Sequence, residues 1–296
     1  MTRDDFCSIA SVIRVEDVSS RTVLILGGTG FVGSYLREHL RGEHRVVATS
    51  RSGAGADRAF RLADAASTSL FDEVAPDVVV NCTVSYASTL EECLAVNLHQ
   101  TAALYLALRH RPLQLVQISS VSATADNKHQ SDYGFTKAMG DELLAHVASH
   151  GELRATVLRF SQIFDAAGRS ASSQPGLEAW GTAIRKGEPI RVFDREPRKR
   201  SYLPVESVVR AIAHAIRVPV HGTHDVIATE SYTPRELVHL LAELGGYDPS
   251  RIERVDRSAA GYAIPACSPA FEGVLAQEPL RAAFARLLAR DQGAPA

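Results

Sequence analysis

The feature that most constrains this chain is a run of glycines, Gly27-Gly28-Thr29-Gly30-Phe31-Val32-Gly33, set between the apolar stretch Thr22 to Leu26 and a helical stretch opening near Phe31. The unbroken apolar residues Val23-Leu24-Ile25-Leu26 read as a strand buried on both faces of a sheet. Gly27, Gly30 and Gly33 have the spacing GxxGxxG. In a strand-turn-helix context each has a physical task. Gly27 permits the sharp turn, Gly30 lets backbone approach a ligand, and Gly33 allows the helix to pack closely on the strand. The amides of Thr29, Phe31 and Val32 at the helix N-terminus then face outward as an anion site, suited to a dinucleotide pyrophosphate. Glycines also end strands for structural reasons alone, so the context gives the triplet its meaning.

Apolar β-rich and helical stretches alternate from Thr22 onward. Strand-like segments are Thr22 to Leu26, Arg45 to Thr49, Asp77 to Asn81, Leu113 to Ile118 and Leu153 to Phe160. Between them lie helix-like segments at Phe31 to Arg41, Leu62 to Val74, Thr89 to Arg109 and Tyr133 to His150. This rhythm predicts an α/β protein with a Rossmann-type, doubly wound parallel sheet. After Phe160 the rhythm breaks, and a smaller C-terminal α/β substrate lobe is expected. Its predicted helices are Val205 to Ile216, Pro234 to Leu244 (opened by Thr233 as cap and Pro234 in the first turn) and Pro279 to Leu288. The expected division is an N-terminal extension over 1–20, a nucleotide-binding domain over 21–165, and a mainly substrate-binding lobe over 166–296 that returns some segments to the first domain.

The tip of the second strand reads Ala48-Thr49-Ser50-Arg51-Ser52 and offers no carboxylate to a ribose 2′-hydroxyl. Arg51 suits a 2′-phosphate, with Ser50 or Ser52 adding hydroxyl donors, so NADP(H) is favoured over NAD(H); a solvated loop arginine is the other reading. Asp64 either accepts from the adenine amino group or caps a helix.

Tyr133 and Lys137 stand four residues apart and project from one face of a helix. A phenol with a reference pKa near 10 gains acid strength beside an ammonium, which is what shared proton chemistry needs. Ser119 and Ser120 end the strand Leu113 to Ile118, where crevices form in open parallel sheets, and either hydroxyl can reach a reacting oxygen there.

These residues resemble the extended short-chain dehydrogenase/reductase superfamily, the NAD-dependent epimerase/dehydratase group. The resemblance spans nearly the whole chain through the glycine turn, Asp77-Val78-Val79-Val80-Asn81, Ala95-Val96-Asn97, Ile118-Ser119-Ser120, Tyr133 to Lys137 and Leu158-Arg159-Phe160. It implies Ser120 as the catalytic serine, Tyr133 as proton donor, and Lys137 as its partner and a contact to the nicotinamide ribose, with Asn97 near the site. It also implies a nucleotide-sugar substrate. By the same likeness Arg200, in Arg200-Ser201-Tyr202-Leu203-Pro204, meets the substrate diphosphate or belongs to a solvated basic turn. Ser120 and Tyr133 are only 13 positions apart, and a Val-Tyr-Gly segment usual there is missing. Val121-Ser122 replaces the Asp-Glu pair of sugar 4,6-dehydratases, and the cysteine of fucose-type epimerase/reductases is absent too. Reduction is therefore expected, in the manner of dTDP-4-dehydrorhamnose reductases and related 4-ketoreductases. Glu91-Glu92 and Pro279-Leu280-Arg281 agree with that subgroup, whereas Ile264-Pro265 lacks its arginine. The alternatives are an epimerase with recycled NAD and a non-catalytic NADP-binding regulatory subunit.

Composition narrows the remaining classes. A formal charge of −2 with scattered Lys and Arg supplies no field for nucleic acid. Cys7, Cys82, Cys93 and Cys267 form no metal-like or paired spacing, so no metal is expected and the thiols suit a reducing compartment. The opening residues lack a secretory pattern and no apolar run approaches the roughly 20 residues of a span, which gives a cytoplasmic expectation without a membrane partner. A homodimer is allowed. His129 reads as a loop residue, and Trp180 and Tyr202 either line a pocket or pack within the lobe.

Overall fold

The apolar run at 22–26 folds as the strand expected of it, and the other elements gather around it. In the computed structural model, which describes residues 20–290 except 87–88, 172, 196–197, 259–261 and 276–278, β1 (Thr22–Leu26) turns into α1 (Phe31–Leu40). Then follow β2 (Arg45–Ser50), β3 (Arg58–Ala59), α2 (Leu70–Val74) and β4 (Val78–Asn81). The helix expected over 89–109 is interrupted: α3 (Leu90–Leu94) and α4 (Thr101–Leu108) flank a π-helical segment, Ala95–Gln100. Next come β5 (Gln114–Ser120), α5 (Asp132–Ser149), β6 (Arg154–Phe160), β7 (Gln162–Phe164), α6 (Pro175–Lys186), β8 (Ile190–Arg195) and β9 (Arg200–Pro204). The chain closes with α7 (Val205–Arg217), β10 (Gly222–Val226), β11 (Ser231–Tyr232), α8 (Pro234–Gly245), β12 (Ile252–Ser258), α9 (Pro269–Leu275) and α10 (Leu280–Leu288). The proposed extension, residue 20 aside, lies outside the described residues.

Seven parallel strands form one sheet in the order β10-β6-β5-β4-β1-β2-β3. From β1 the chain winds outward to β2 and β3, then crosses back to place β4 on the other side of β1. That reversal opens a crevice beyond the carboxyl ends of β1 and β4, where ligands of such sheets bind. Both faces are covered, which is why the strands are apolar at successive positions. Val78, Val79 and Val80 are all 0% exposed. Val78 and Val80 face Leu36, Val208, Ile212 and Phe271 from α1, α7 and α9, whereas Val79 faces Phe71, Leu104 and Leu144 from α2, α4 and α5. Each such buried side chain contributes roughly 1.5–3 kcal/mol.

A second cluster packs Phe164, Tyr202 and Phe284 among α6, α8 and α10, beside the small sheet β11-β9-β7 and the pair β12-β8. The capping expected of α8 is present: the Thr233 hydroxyl accepts from the Glu236 amide, and Glu236 accepts from the Thr233 amide. Residues 205–226 and 269–275, beyond the division expected at 165, pack on the large sheet: β10 pairs with β6, and Gln114 donates to the Ala215 carbonyl of α7.

Candidate active site

Gly27 has a φ of +77°, the left-handed conformation its turn requires. A Cβ at Gly33 would lie 2.9 Å from the Gly28 Cα and overlap the Gly27 carbonyl, so α1 sits on the turn as closely as backbone allows. Gly28, which the GxxGxxG spacing leaves out, is as constrained: a Cβ there would lie 2.6 Å from that of Ala48 on β2. Gly30 is the N-cap of α1 and makes no side-chain cap bond, and the first turn of the helix carries no acidic residue. The Gly28 and Gly30 amides are taken up by the Thr49 (2.8 Å) and Gly27 (3.0 Å) carbonyls, which leaves those of Thr29, Phe31 and Val32 to an anion, and the residues present fit a dinucleotide pyrophosphate. A cleft of about 490 Å³ opens there, bounded by the turn and by Arg37, Glu38, Arg41 and Arg169, three cations to one carboxylate.

At the tip of β2 the Ser50 hydroxyl donates to the Ala54 carbonyl (3.1 Å) and Arg51 is exposed, with no acid partner among the described residues. The nearby carboxylate of Asp57 is occupied, accepting from the Ala48 amide (2.8 Å) and pairing with Arg37 (3.2 Å). Asp64 is exposed within the 3-10 turn Leu62–Asp64, and it caps no helix, since α2 begins at Leu70 behind Ser69. The continuous helix expected over 62–74 is thus two short pieces.

The start of α5 is fixed by Ser131, whose hydroxyl accepts from the Gly134 amide (3.1 Å). A Cβ at Gly134 would stand 2.5 Å from the Ser122 carbonyl, so this helix presses directly on the turn after β5. That contact brings the Tyr133 hydroxyl to Ser120 and Tyr86, with the two tyrosine rings 4.8 Å apart at 31°. Burial and the Tyr86 phenol hold the Tyr133 pKa well above the usual range, partly opposed by the Ser120 hydrogen bond. Lys137, 5% exposed, donates from Nζ to the Ile118 carbonyl (2.7 Å) and is lowered by burial, against the opposing pull of Asp141. The acidifying influence expected of Lys137 on Tyr133 is therefore not what governs the phenol: the ammonium is engaged by the strand, and the phenol sits among neutral hydroxyls. Cys82, whose thiol burial pushes up to about 12, links Lys137 to the glycine turn, its carbonyl carbon being 3.4 Å from the Cβ position of Gly27.

The two serines divide by the alternation of strand faces. Ser120 turns to Tyr133, whereas Ser119 donates to Asp141 (2.9 Å), which also pairs with Arg159 (2.8 Å) in a buried network under α5. Asn97 sits in the π-helical segment, a device frequent near functional sites. Its amide both accepts from and donates to the backbone of Ser85 (2.9 Å each), fixing the loop that carries Tyr86. Nothing in the local sequence marks Tyr86 or that clamp.

A second, much smaller cleft, of about 20 Å³, adjoins Ser120 through Val121 and is lined by Ser161, Gln162, Arg200, Tyr262 and Pro265. Arg200 thus lies in a cleft rather than on an open turn. The short loop between Ser120 and Tyr133 is held by Asn127, which bonds both the amide and the carbonyl of Ala263 (2.8 Å each) and so positions the strip ending at Pro265. Tyr202 is buried in the lobe core against Phe164 and Phe284, and Trp180 packs there while reaching the Arg191 carbonyl, so both take the packing alternative. His129 lies beside Phe135 in the loop. Among the described residues no three His, Cys, Asp or Glu side chains group as metal ligands, and no helix is long and apolar enough to cross a membrane.

The family described as NAD dependent epimerase/dehydratase matches residues 23–228. No curated protein sequence matches the chain. Among solved structures, the UDP-N-acetylglucosamine 4-epimerase from Bacillus cereus superposes with a TM-score of 0.74 at 19% identity, covering 91% of this chain and 99% of its own. The UDP-glucose 4-epimerase of Thermus thermophilus, in complex with NAD, gives 0.73 at 21% identity over 93% and 100%. The dTDP-glucose 4,6-dehydratase from Bacillus anthracis, also with NAD, gives 0.73 at 16% over 91% and 97%. At these identities the likeness is one of fold.

Proposed function

The chain belongs to the NAD dependent epimerase/dehydratase family, enzymes of the oxidoreductase type, and on that footing we propose an NADPH-dependent reductase of a 4-keto group on a nucleotide-linked deoxysugar. The observation that carries it is the joining of Ser120, Tyr133 and buried Lys137 between the glycine turn and the second cleft. A bound nicotinamide dinucleotide supplies the hydride. Tyr133, whose phenol keeps its proton through neutral pH, gives that proton to the alkoxide oxygen formed beside it. Ser120 donates a hydrogen bond to the same oxygen, and Lys137 holds the ribose edge. In this reading the backbone of Gly27, Thr29, Gly30, Phe31, Val32 and Gly33 receives the pyrophosphate, Asp64 the adenine, and Arg200 the substrate diphosphate. NADP is favoured because Arg51 has no acid partner among the described residues while Asp57 is bound to Arg37.

A second reading, epimerisation with recycled NAD, is supported by the same trio, which can serve removal and return of hydride at one carbon. Incubating the purified chain with NADPH and nucleotide-linked 4-keto sugars separates them. A reductase consumes NADPH stoichiometrically; an epimerase inverts the carbon with no net loss and carries nicotinamide through purification. Tyr133→Phe is expected to lower turnover by about 10²-fold or more with cofactor affinity retained. Wild-type turnover in that variant would refute the role of the phenol.

A further inference from the structure

The loop after β7 brings a cation to the glycine turn from the opposite side of the crevice. Asp165, 1% exposed, anchors it: its carboxylate accepts from the Tyr35 hydroxyl (2.8 Å), the Ser170 amide (2.8 Å) and the Arg169 amide (3.2 Å). The Ser170 hydroxyl accepts in return from the Asp165 amide (3.1 Å). Gly168 adopts a φ of +87°, a left-handed conformation that favours glycine, with the Arg290 guanidinium laid against it. A loop of six residues is thereby given one shape, with Arg169 at its tip. The Arg169 guanidinium lies 4.7 Å over the Tyr35 ring and reaches the Ser34 hydroxyl (3.3 Å), both on α1.

Those partners are neutral, and among the described residues no carboxylate comes within 4.0 Å of this guanidinium. Of the other two cations in the 490 Å³ cleft, Arg37 is already committed to Asp57 and to the Gly55 carbonyl, and Arg41 lies just past the last turn of α1, away from the amides of its N-terminus. Arg169 is thus a positive group with no acid partner among the described residues, facing a turn in which the amides of Thr29, Phe31 and Val32 are left unpaired, and unlike those amides it comes from beyond β6.

We propose that Arg169 is a cofactor clamp, its guanidinium meeting the dinucleotide pyrophosphate across from the amides of the glycine turn. The proposal rests on the dinucleotide reading of that turn. It also links two sites, because the segment leading to Arg169 starts at Ser161 and Gln162, which line the second cleft. Occupation of either cleft then bears on the placement of one short stretch of chain.

The test is fluorescence titration of the full chain with NADPH and with NADH at two salt concentrations. Arg169→Ala is expected to raise both Kd values about tenfold or more while leaving their ratio unchanged, since the pyrophosphate is common to the two. Arg169→Glu should be worse than Arg169→Ala, with Arg169→Lys between the alanine variant and wild type. Added salt should weaken wild type more than the alanine variant. Because Arg169 is exposed, the cofactor-free variants should melt close to wild type, so that a change in Kd reports the contact rather than the fold. Wild-type Kd values and salt dependence in both Arg169→Ala and Arg169→Glu would overturn the clamp alone. A wild-type chain that binds neither nucleotide would overturn the cofactor reading beneath it.

Discussion

Replacing Gly33 by alanine tests how tightly fold and site are joined. The added methyl would lie 2.9 Å from the Gly28 Cα, about 0.8 Å inside the roughly 3.7 Å at which two carbons rest. It would also overlap the Gly27 carbonyl oxygen. Both obstacles are backbone, so no rotamer change relieves them, and α1 must lift from the turn by about 1 Å. Overpacking of this kind costs about 2–3 kcal/mol, which for a chain of this length lowers the melting temperature by about 5 °C. The same lift moves the amides of residues 29–32, and losing one hydrogen bond to a charged group weakens dinucleotide binding about tenfold. Gly42, just past α1, is the control: a Cβ there meets nothing within 4 Å and its φ is not left-handed, so Gly42→Ala should melt at or slightly above wild type. Differential scanning fluorimetry and a NADPH titration read both quantities. If Gly33→Ala melts within about 1 °C of wild type and binds nucleotide equally well, the close packing of helix on turn is not what shapes the site.

Three further outcomes follow from the site. Asp141→Ala strands the Arg159 guanidinium and the Ser119 hydroxyl in the interior, and should destabilise by about 3 kcal/mol in urea unfolding; an unchanged midpoint would show that water relieves the network. In the pH dependence of kcat/KM for reduction, the alkaline limb should fall below 10.5 and belong to Lys137. Burial lowers the ammonium so that it loses its proton first as pH rises, while the Tyr133 phenol, raised well above 10, keeps its own. A Lys137→Arg variant that retained turnover with an unmoved limb would contradict that order. Arg51→Ala should weaken NADPH binding about tenfold with little change for NADH, and equal loss for both would remove the 2′-phosphate assignment.

The glycine turn was readable because strand, turn and helix lie within about twenty consecutive residues, so local spacing carries the whole signal. Tyr133 and Lys137 were readable for the same reason, one helical turn holding them on one face. Ser120 was separable from Ser119 only through likeness, since choosing between strand faces requires knowing which helix packs where. Asn97 was visible as a residue and hidden as a clamp: its reach to Ser85 depends on a π-helical register that no i, i+4 pattern announces. The tie between Asn127 and Ala263 spans 136 residues, and propensity holds no record of such distances. β10 carries no strand signal in the sequence because Gly-Thr-His-Asp-Val is an edge strand, polar and half exposed, unlike the apolar interior strands. Gly28 lay outside the GxxGxxG spacing because its constraint comes from Ala48, on another strand.

The late return of α7, β10 and α9 to the large sheet governs the order in which a ribosome can deliver a finished molecule. Once Phe160 has emerged, every residue of the glycine turn and the Ser120–Tyr133–Lys137 trio is outside the exit tunnel, yet Val23, Ile25, Val78 and Val80 still lack their covering from Val208, Ile212 and Phe271. With only Leu36 and Leu40 of α1 laid on it, that greasy face stays incompletely covered until α7 and α9 are synthesised, which makes the nascent chain a natural client for chaperones. A fragment truncated before α7 should therefore clump instead of behaving as a miniature nucleotide binder.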